Sequence, residues 1–422
     1  MFKISFVLAV ALLATSSLGC SVDECDKHAE RPQCQPTPPD VGTGGVLTIS
    51  PRRINIKGDM VVVTPSAKTT PADEVKITQP GMADVVLGKL GTGKVTVPAL
   101  TASQVSLGKA YLVIGANAPE PIRLYLKPSF GTSTLDISTG NESSLWAGIV
   151  ANRTIVSLND SGSGQPPVHY AEYNYQSKSI SFVGGNNYPS TAKGSATIMQ
   201  KYVGYPNAYS KGHVAFRSCN LGSDTCSTIQ TNNNSLLDMT VDRRGTVLAA
   251  LLDGRINAYF IDVVFGDKSP AMLVNDIAGP KLIASEDFDG DGLSDLLIWN
   301  DVNMNVLRQM KSGATTGFAL DSGLSGQITA ALGSDKPTAL VTNDLDGDGL
   351  VDVIYASGTQ INWLTNTSEA IAKFAKGGAL STVGGGIDSL TVGDVDADSK
   401  GDLVVASKSD KTIKIFINQS TY

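Results

Sequence analysis

Three stretches of the chain carry aspartates at one repeated spacing. Asp287, Asp289, Asp291 and Asp295 recur as Asp344, Asp346, Asp348 and Asp352, and again as Asp394, Asp396, Asp398 and Asp402. Four carboxylates within nine residues repel one another and raise each other's pKa unless a cation sits among them. Calcium takes six to eight oxygens at about 2.3 to 2.6 Å, and a tight loop with carboxylates at positions 1, 3, 5 and 9 and a backbone carbonyl at 7 supplies them. Leu293, Leu350 and Lys400 stand at position 7. Glycine at position 6 (Gly292, Gly349) permits the sharp turn, whereas the third copy has Ser399 there and is expected to be strained and weaker. Asp and Gly also make ordinary turns, but turn chemistry explains one such loop and not three in register. The sequence therefore predicts two to three structural Ca2+ ions. An eroded fourth copy, Asp238, Thr240, Asp242 and Thr246, is expected to hold none.

No glutamate follows at position 12 and no helical pattern flanks the loops; each runs into a β-rich segment, which disfavours an EF-hand. The three loops resemble the FG-GAP and VCBS repeats of integrin-α-like bacterial propellers, over roughly Val247 to Gln419. That resemblance implies calcium held between blade strands. The elements around the loops agree. Apolar strands Val247–Leu251, Leu296–Asn300, Val353–Ser357 and Leu403–Ser407 start 49, 57 and 50 residues apart, and a multi-strand unit near 50 residues is one propeller blade. Strands around Thr154–Leu158 and His213–Ser218 suggest two blades without the motif, giving about six over residues 129–422, with seven as the alternative. The segment Ser389–Asn418 has room for three strands, so Thr134–Ile137 is expected to add the fourth and close the ring, removing exposed edges. Upstream, residues 46–128 hold short β runs separated by turns, as in a small antiparallel β-sandwich. With the Ile49-Ser50-Pro51 opening, they resemble immunoglobulin-like IPT/TIG modules; the alternative is that they form further blades. The fold class is all-β.

Residues 1–19 read as a secretory signal peptide: Lys3, an apolar run from Ile4 to Ala14, then small residues. The run is shorter than the roughly 20 residues of a membrane span. Leu18-Gly19-Cys20 resembles the lipobox of bacterial lipoproteins, with Ser17 where that family usually has Leu. The resemblance implies a lipidated Cys20 and anchorage at a bacterial outer membrane or cell surface; the alternative is ordinary cleavage that leaves a free thiol. Lipidation would also account for the odd number among five cysteines. The remaining four allow three connectivities, of which Cys25 with Cys34 and Cys219 with Cys226 are the local disulfides expected in an oxidising compartment. A zinc site would need CxxC spacing or nearby histidines. Residues 20–45 are Pro- and Gly-rich and read as a tether.

A formal charge of −7 offers no basic surface for nucleic acid, and 41% hydrophobic residues exclude a chain disordered by composition. Three histidines (His28, His169, His213) and the absence of GxSxG, HExxH or a phosphate-cradling glycine loop leave no catalytic residue to assign. Paired acids for glycoside cleavage stay open by pattern, although the conspicuous aspartates are already placed on metal. Tyr170, Tyr173, Tyr175, Tyr188, Tyr202, Tyr205 and Tyr209 cluster in a stretch rich in Asn, Ser and Gly, a composition suited to recognition or simply to strands. The expected function is a membrane-anchored, calcium-binding propeller serving as a surface binding, adhesion or scaffold module for an unknown protein or glycan. The alternative is a secreted hydrolase or lyase acting on polysaccharide.

Overall fold

The computed structural model describes residues 47–132 and 277–421, except 65, 67, 313–314, 368–372 and 408, and between those segments the strands named below together with Ala147. The signal segment, Cys20, the tether, Cys25 and Cys34 lie outside the described residues. So do Asp242, Thr246, Tyr175, Tyr188, Tyr202, Tyr205 and Tyr209. No helix among the described residues is long and apolar enough to cross a membrane.

Eight strands come first: β1 (Thr48–Ser50), β2 (Arg53–Asn55), β3 (Met60–Thr64), β4 (Glu74–Thr78), β5 (Val85–Lys89), β6 (Lys94–Thr96), β7 (Gly108–Ile114) and β8 (Glu120–Tyr125). They form two sheets, β1-β3-β6 and β2-β8-β7-β4-β5. In β3 and β7 alternate residues are buried and outward-facing, the mark of strands with one face on a core. Ile54, Ile56, Val61, Val75, Leu112, Ile122 and Leu124 fill the space between the sheets. This core separates the sandwich from the blades that follow. Its pairs are antiparallel except β2 with β8, which run parallel, so the sheet departs from an all-antiparallel sandwich.

Six sheets follow among the described residues. Strands β10 (Ser143–Val150), β11 (Thr154–Asp160), β12 (Val168–Asn174) and β13 (Ser179–Val183) form one; β14 (Val214–Cys219) and β15 (Cys226–Thr231) a second. The third joins β16 (Leu236–Val241), β17 (Val247–Leu251), β18 (Ile256–Tyr259) and β19 (Ala271–Val274). The fourth comprises β20 (Leu282–Glu286), β21 (Asp295–Trp299), β22 (Met304–Ser312) and β23 (Thr315–Leu320); the fifth β24 (Ala339–Asn343), β25 (Asp352–Ser357), β26 (Gln360–Asn366) and β27 (Phe374–Thr382). The last is β28 (Ser389–Gly393), β29 (Asp402–Ser407) and β30 (Thr412–Phe416), completed by β9 (Leu135–Ser138) from the start of this region. That fourth strand sits one residue from its expected place at 134–137.

First strands lie side by side in the order β16, β20, β24, β28, β10, so β10 meets the last sheet and the arrangement turns back on itself. Thr342 Oγ1 donates to the Ser285 carbonyl and Thr391 Oγ1 to that of Ala147, tying neighbouring sheets together. The second strands β21, β25 and β29 are buried along nearly their whole length, because adjacent sheets cover both faces. That is why Leu296–Trp299, Val353–Ala356 and Leu403–Ala406 read as unbroken apolar runs.

A helix absent from the sequence expectation, α1 (Ser322–Leu332), bridges the fourth and fifth sheets. Asp321 caps it, accepting from Leu324 N at 2.8 Å, and Leu324, Ile328 and Leu332 anchor it.

Candidate metal centres

Each acidic loop connects the first and second strands of its sheet, and its carboxylates fold it. The position-1 aspartate accepts from the amides at positions 4 and 6: Asp287 from Gly290 (2.7 Å) and Gly292 (2.9 Å), Asp344 from Gly347 (2.9 Å) and Gly349 (2.8 Å). Position 3 accepts from the amide at 5, and position 5 from the amide at 7, in all three loops. Residues at positions 4 and 6 take left-handed backbone angles: Gly290 at φ 76 and Gly292 at φ 81, Gly347 at φ 77 and Gly349 at φ 81. The third copy imposes this on Ala397 (φ 78) and Ser399 (φ 65), so it is strained at two positions, not only at the one read from the sequence. Phe288, Leu345 and Val395 at position 2 are buried and pin each loop to the core.

This folding converges the acids. One oxygen each of Asp287, Asp289 and Asp291, of Asp344, Asp346 and Asp348, and of Asp394, Asp396 and Asp402 lies within 4.8 Å of the others in its set. The position-9 residues do a second job. Asp295 accepts from Phe288 N and Gln309 N, Asp352 from Leu345 N and Asn366 N, and Asp402 from Val395 N and Asn418 N, all at 2.8 to 3.1 Å. Each thereby staples its loop to the third strand or to the residues just after it: Gln309 lies within β22, Asn366 ends β26 and Asn418 follows β30. Asp402 also belongs to its acidic set, whereas Asp295 and Asp352 stand outside theirs. At position 7, Leu293, Leu350 and Lys400 donate their amides to the position-5 carboxylates.

The electrostatics show the strain of assembling these groups. Burial pushes Asp295 up to about 7, against the pull of the Gln309 amide and with help from Asp289. Burial, then the charge of Asp348, brings Asp344 to about 6, burial brings Asp402 to about 6, and burial also raises Asp352 well above the usual carboxylate range. Asp396 is raised by burial and then by Asp398. Desolvation thus outweighs the mutual repulsion that the sequence spacing alone suggests.

A basic side chain pairs with a carboxylate of each loop, but from a different source; in the third loop that carboxylate, Asp398, stands outside the convergent set. Arg308 on β22 pairs Nη1 with Asp289 and Nε with Asp321 of the helix cap. Lys400 pairs with Asp398 within its own loop. The second loop receives Arg53 from the sandwich, which pairs with Asp346 and Asp348 together. In the first and third loops the paired carboxylates are 28% and 31% exposed and so reach water. Their all-oxygen donor sets suit calcium. In the second loop both paired side chains are 0% exposed.

In the eroded copy, Asp238 and Thr240 lie within β16, whose ladder runs on to Val241 opposite Val247. The connection is 242–246, shorter than 287–294 in the intact copy. Tyr170 and Tyr173 lie on β12. The β14–β15 register sets Cys219 opposite Cys226.

Residues 344–420 match the FG-GAP-like repeat family, a span that takes in the second and third loops. Among solved structures, the chain is similar to an auxiliary nutrient binding protein from Bacteroides ovatus, with 11% identity and TM-score 0.43 over 89% of this chain and 98% of that one. It is also similar to the WD40 β-propeller domain of Doa1, with 13% identity and TM-score 0.36 over 68% of this chain and 96% of that one. No curated protein matches the sequence. The fold is all-β and propeller-like.

Proposed function

We propose that the chain is an exported, lipid-anchored propeller whose acidic loops hold calcium as a structural ion, and that it acts as a surface binding or scaffold module for a protein or glycan. The observation that carries the reading is the repeated placement of convergent carboxylates at one turn of successive sheets, with the second and third of these loops inside the region matching FG-GAP-like repeats. Asp287, Asp289 and Asp291 would hold one ion, and Asp394, Asp396 and Asp402 another. Bound calcium supplies positive charge to buried acids and cross-links the turn; the chain's own residues supply the framework, with position 9 fixing the loop to the third strand. These aspartates are occupied with folding and charge balance, which favours binding over catalysis. Anchorage rests on Leu18-Gly19-Cys20.

Metal analysis of dialysed protein, with melting curves in chelator and in calcium, tests the first half. Metal-free protein with a chelator-insensitive melting temperature would leave the loops as ordinary turns. Glycan and protein arrays probed with the purified chain test the second half: retention of a defined glycan or protein class supports a binding module, and turnover of an arrayed polysaccharide overturns it.

A further inference from the structure

The sandwich reaches the propeller at the second acidic loop. Arg53 on β2 lies over Tyr125, its guanidinium carbon 3.8 Å from the ring centroid. It sends Nε to Asp348 Oδ2 at 2.6 Å and Nη2 to Asp346 Oδ2. Its register partner on β8, Arg123, donates Nη1 to the Asp348 carbonyl at 2.7 Å, and Leu126 N donates to the Asp346 carbonyl at 3.0 Å. The fit is close. A Cβ at Gly347 would stand 2.6 Å from Leu107 Cδ1, and one at Gly349 would stand 2.9 Å from Arg123 Nη1; at Gly290 and Gly292 of the first loop a Cβ would meet nothing within 4 Å.

The first loop takes its basic partner from its own sheet, through Arg308. The matching place on β26, counted from the position-9 aspartate, holds Thr365, which reaches Asp346 only through a hydroxyl. The positive charge of the second loop has been moved onto the other domain. Asp346 Oδ1 and Asp348 Oδ1 are taken by loop amides, so the Oδ2 atoms that Arg53 occupies are the oxygens an ion would need. A guanidinium and a divalent ion sharing two buried carboxylates would repel at close range with little water between them. With Arg53 seated, this donor set does not fit calcium.

We propose that Arg53 takes the place of the ion in the second loop, so that residues 344–352 form a metal-independent socket that locks the sandwich onto the propeller. Calcium and the seated sandwich are then mutually exclusive there. The ion count rests on the calcium reading of the other two loops; the lock does not.

The test compares full-length wild type, Arg53→Ala and Arg53→Lys for bound calcium and for hydrogen exchange of peptides covering 344–352 and 120–128, in chelator and in calcium. Wild type should bind two ions and exchange slowly at both peptides in either buffer. Arg53→Ala should exchange at least tenfold faster in chelator and gain a third ion in calcium. Arg53→Lys, which keeps charge but loses the fork, should fall between in exchange. Should Arg53→Ala fail to fold, the double variant Asp346→Asn, Asp348→Asn removes the socket charge and should open the same peptides in chelator. Three ions in wild type, or unchanged exchange in chelator for the variants, overturns the lock. No calcium in any form, with faster exchange in the variants, refutes the metal reading and leaves the lock standing.

Discussion

Chelation should make stability fall as pH rises, and calcium should lessen that fall. In the metal-free fold burial holds Asp295 up to about 7 and Asp344 and Asp402 up to about 6, against about 3.9 for aspartate in an unfolded chain. Between those limits the folded chain keeps protons that the unfolded chain has released. Stability present below about pH 4 is therefore lost as pH climbs to about 7, and the curve is flat above it. At about 1.4 kcal/mol per pKa unit, Asp402 alone costs about 3 kcal/mol once ionised, and Asp295 about 4. Asp344 counts for less because it is part-exposed. Neighbouring acids titrate together, so the cost of one group, Asp402 in its acidic set, is a safer measure than the sum. About 3 kcal/mol corresponds to a melting temperature lower by about 6 to 10 °C near neutral pH than at about pH 4. Bound calcium makes a ligand of Asp402, which lies in its acidic set, so in saturating calcium the fall should shrink by that group's share, while Asp295 and Asp344 keep theirs. Differential scanning calorimetry at stepped pH in the two buffers measures both curves. If they run parallel, the acidic sets bear no charge that calcium relieves, and the reasoning fails.

Three further outcomes follow from the same geometry. Ala397→Gly and Ser399→Gly should each stabilise the third loop by up to about 1 kcal/mol, since glycine accepts the left-handed backbone without strain; chemical denaturation that shows a loss instead would refute it. Asp352→Ala should cost about 2 to 4 kcal/mol even in saturating calcium, because it strands the buried amides of Leu345 and Asn366, and a urea midpoint shift worth less than about 1 kcal/mol would contradict the staple. Cys20→Ser should move the protein from the detergent phase to the soluble phase in a Triton X-114 partition, while an unacylated wild-type N-terminus by mass spectrometry would remove the anchor.

The acidic loops were legible because their whole pattern lies within nine residues, and β9 could be found by counting strands around a closing ring. Contacts made across the chain were not legible. Nothing near Arg53 announces that a three-residue strand delivers its guanidinium to Asp346 and Asp348, and β2 itself is too short to stand out. The second job of Asp295, Asp352 and Asp402 was hidden likewise, since Gln309, Asn366 and Asn418 lie on or just past the third strand, 14 to 16 residues along the chain. Helix α1 was obscured by Ser322, Gly323, Ser325 and Gly326, all poor helix formers, although Leu324, Ile328 and Leu332 at helical spacing behind a capping Asp321 were there to be read. Tertiary packing on β22 and β27 holds it in place. Ala397 went unremarked because the position-6 glycine drew attention away from position 4.

The pairing of β9 with β30 has a bearing on how the protein is made. Ile137 lies opposite Ile413, so a chain synthesised from its N-terminus presents β9 long before its partner arrives. Until then the strand is an open hydrogen-bonding edge, and the ring is held by its unfinished seam. Translation stops or proteolytic trimming before Thr412 would leave that seam permanently unsealed, with Phe130 deprived of its bridge to Asn418 as well. A chain cut before Thr412 thus leaves β9 without the strand it pairs with.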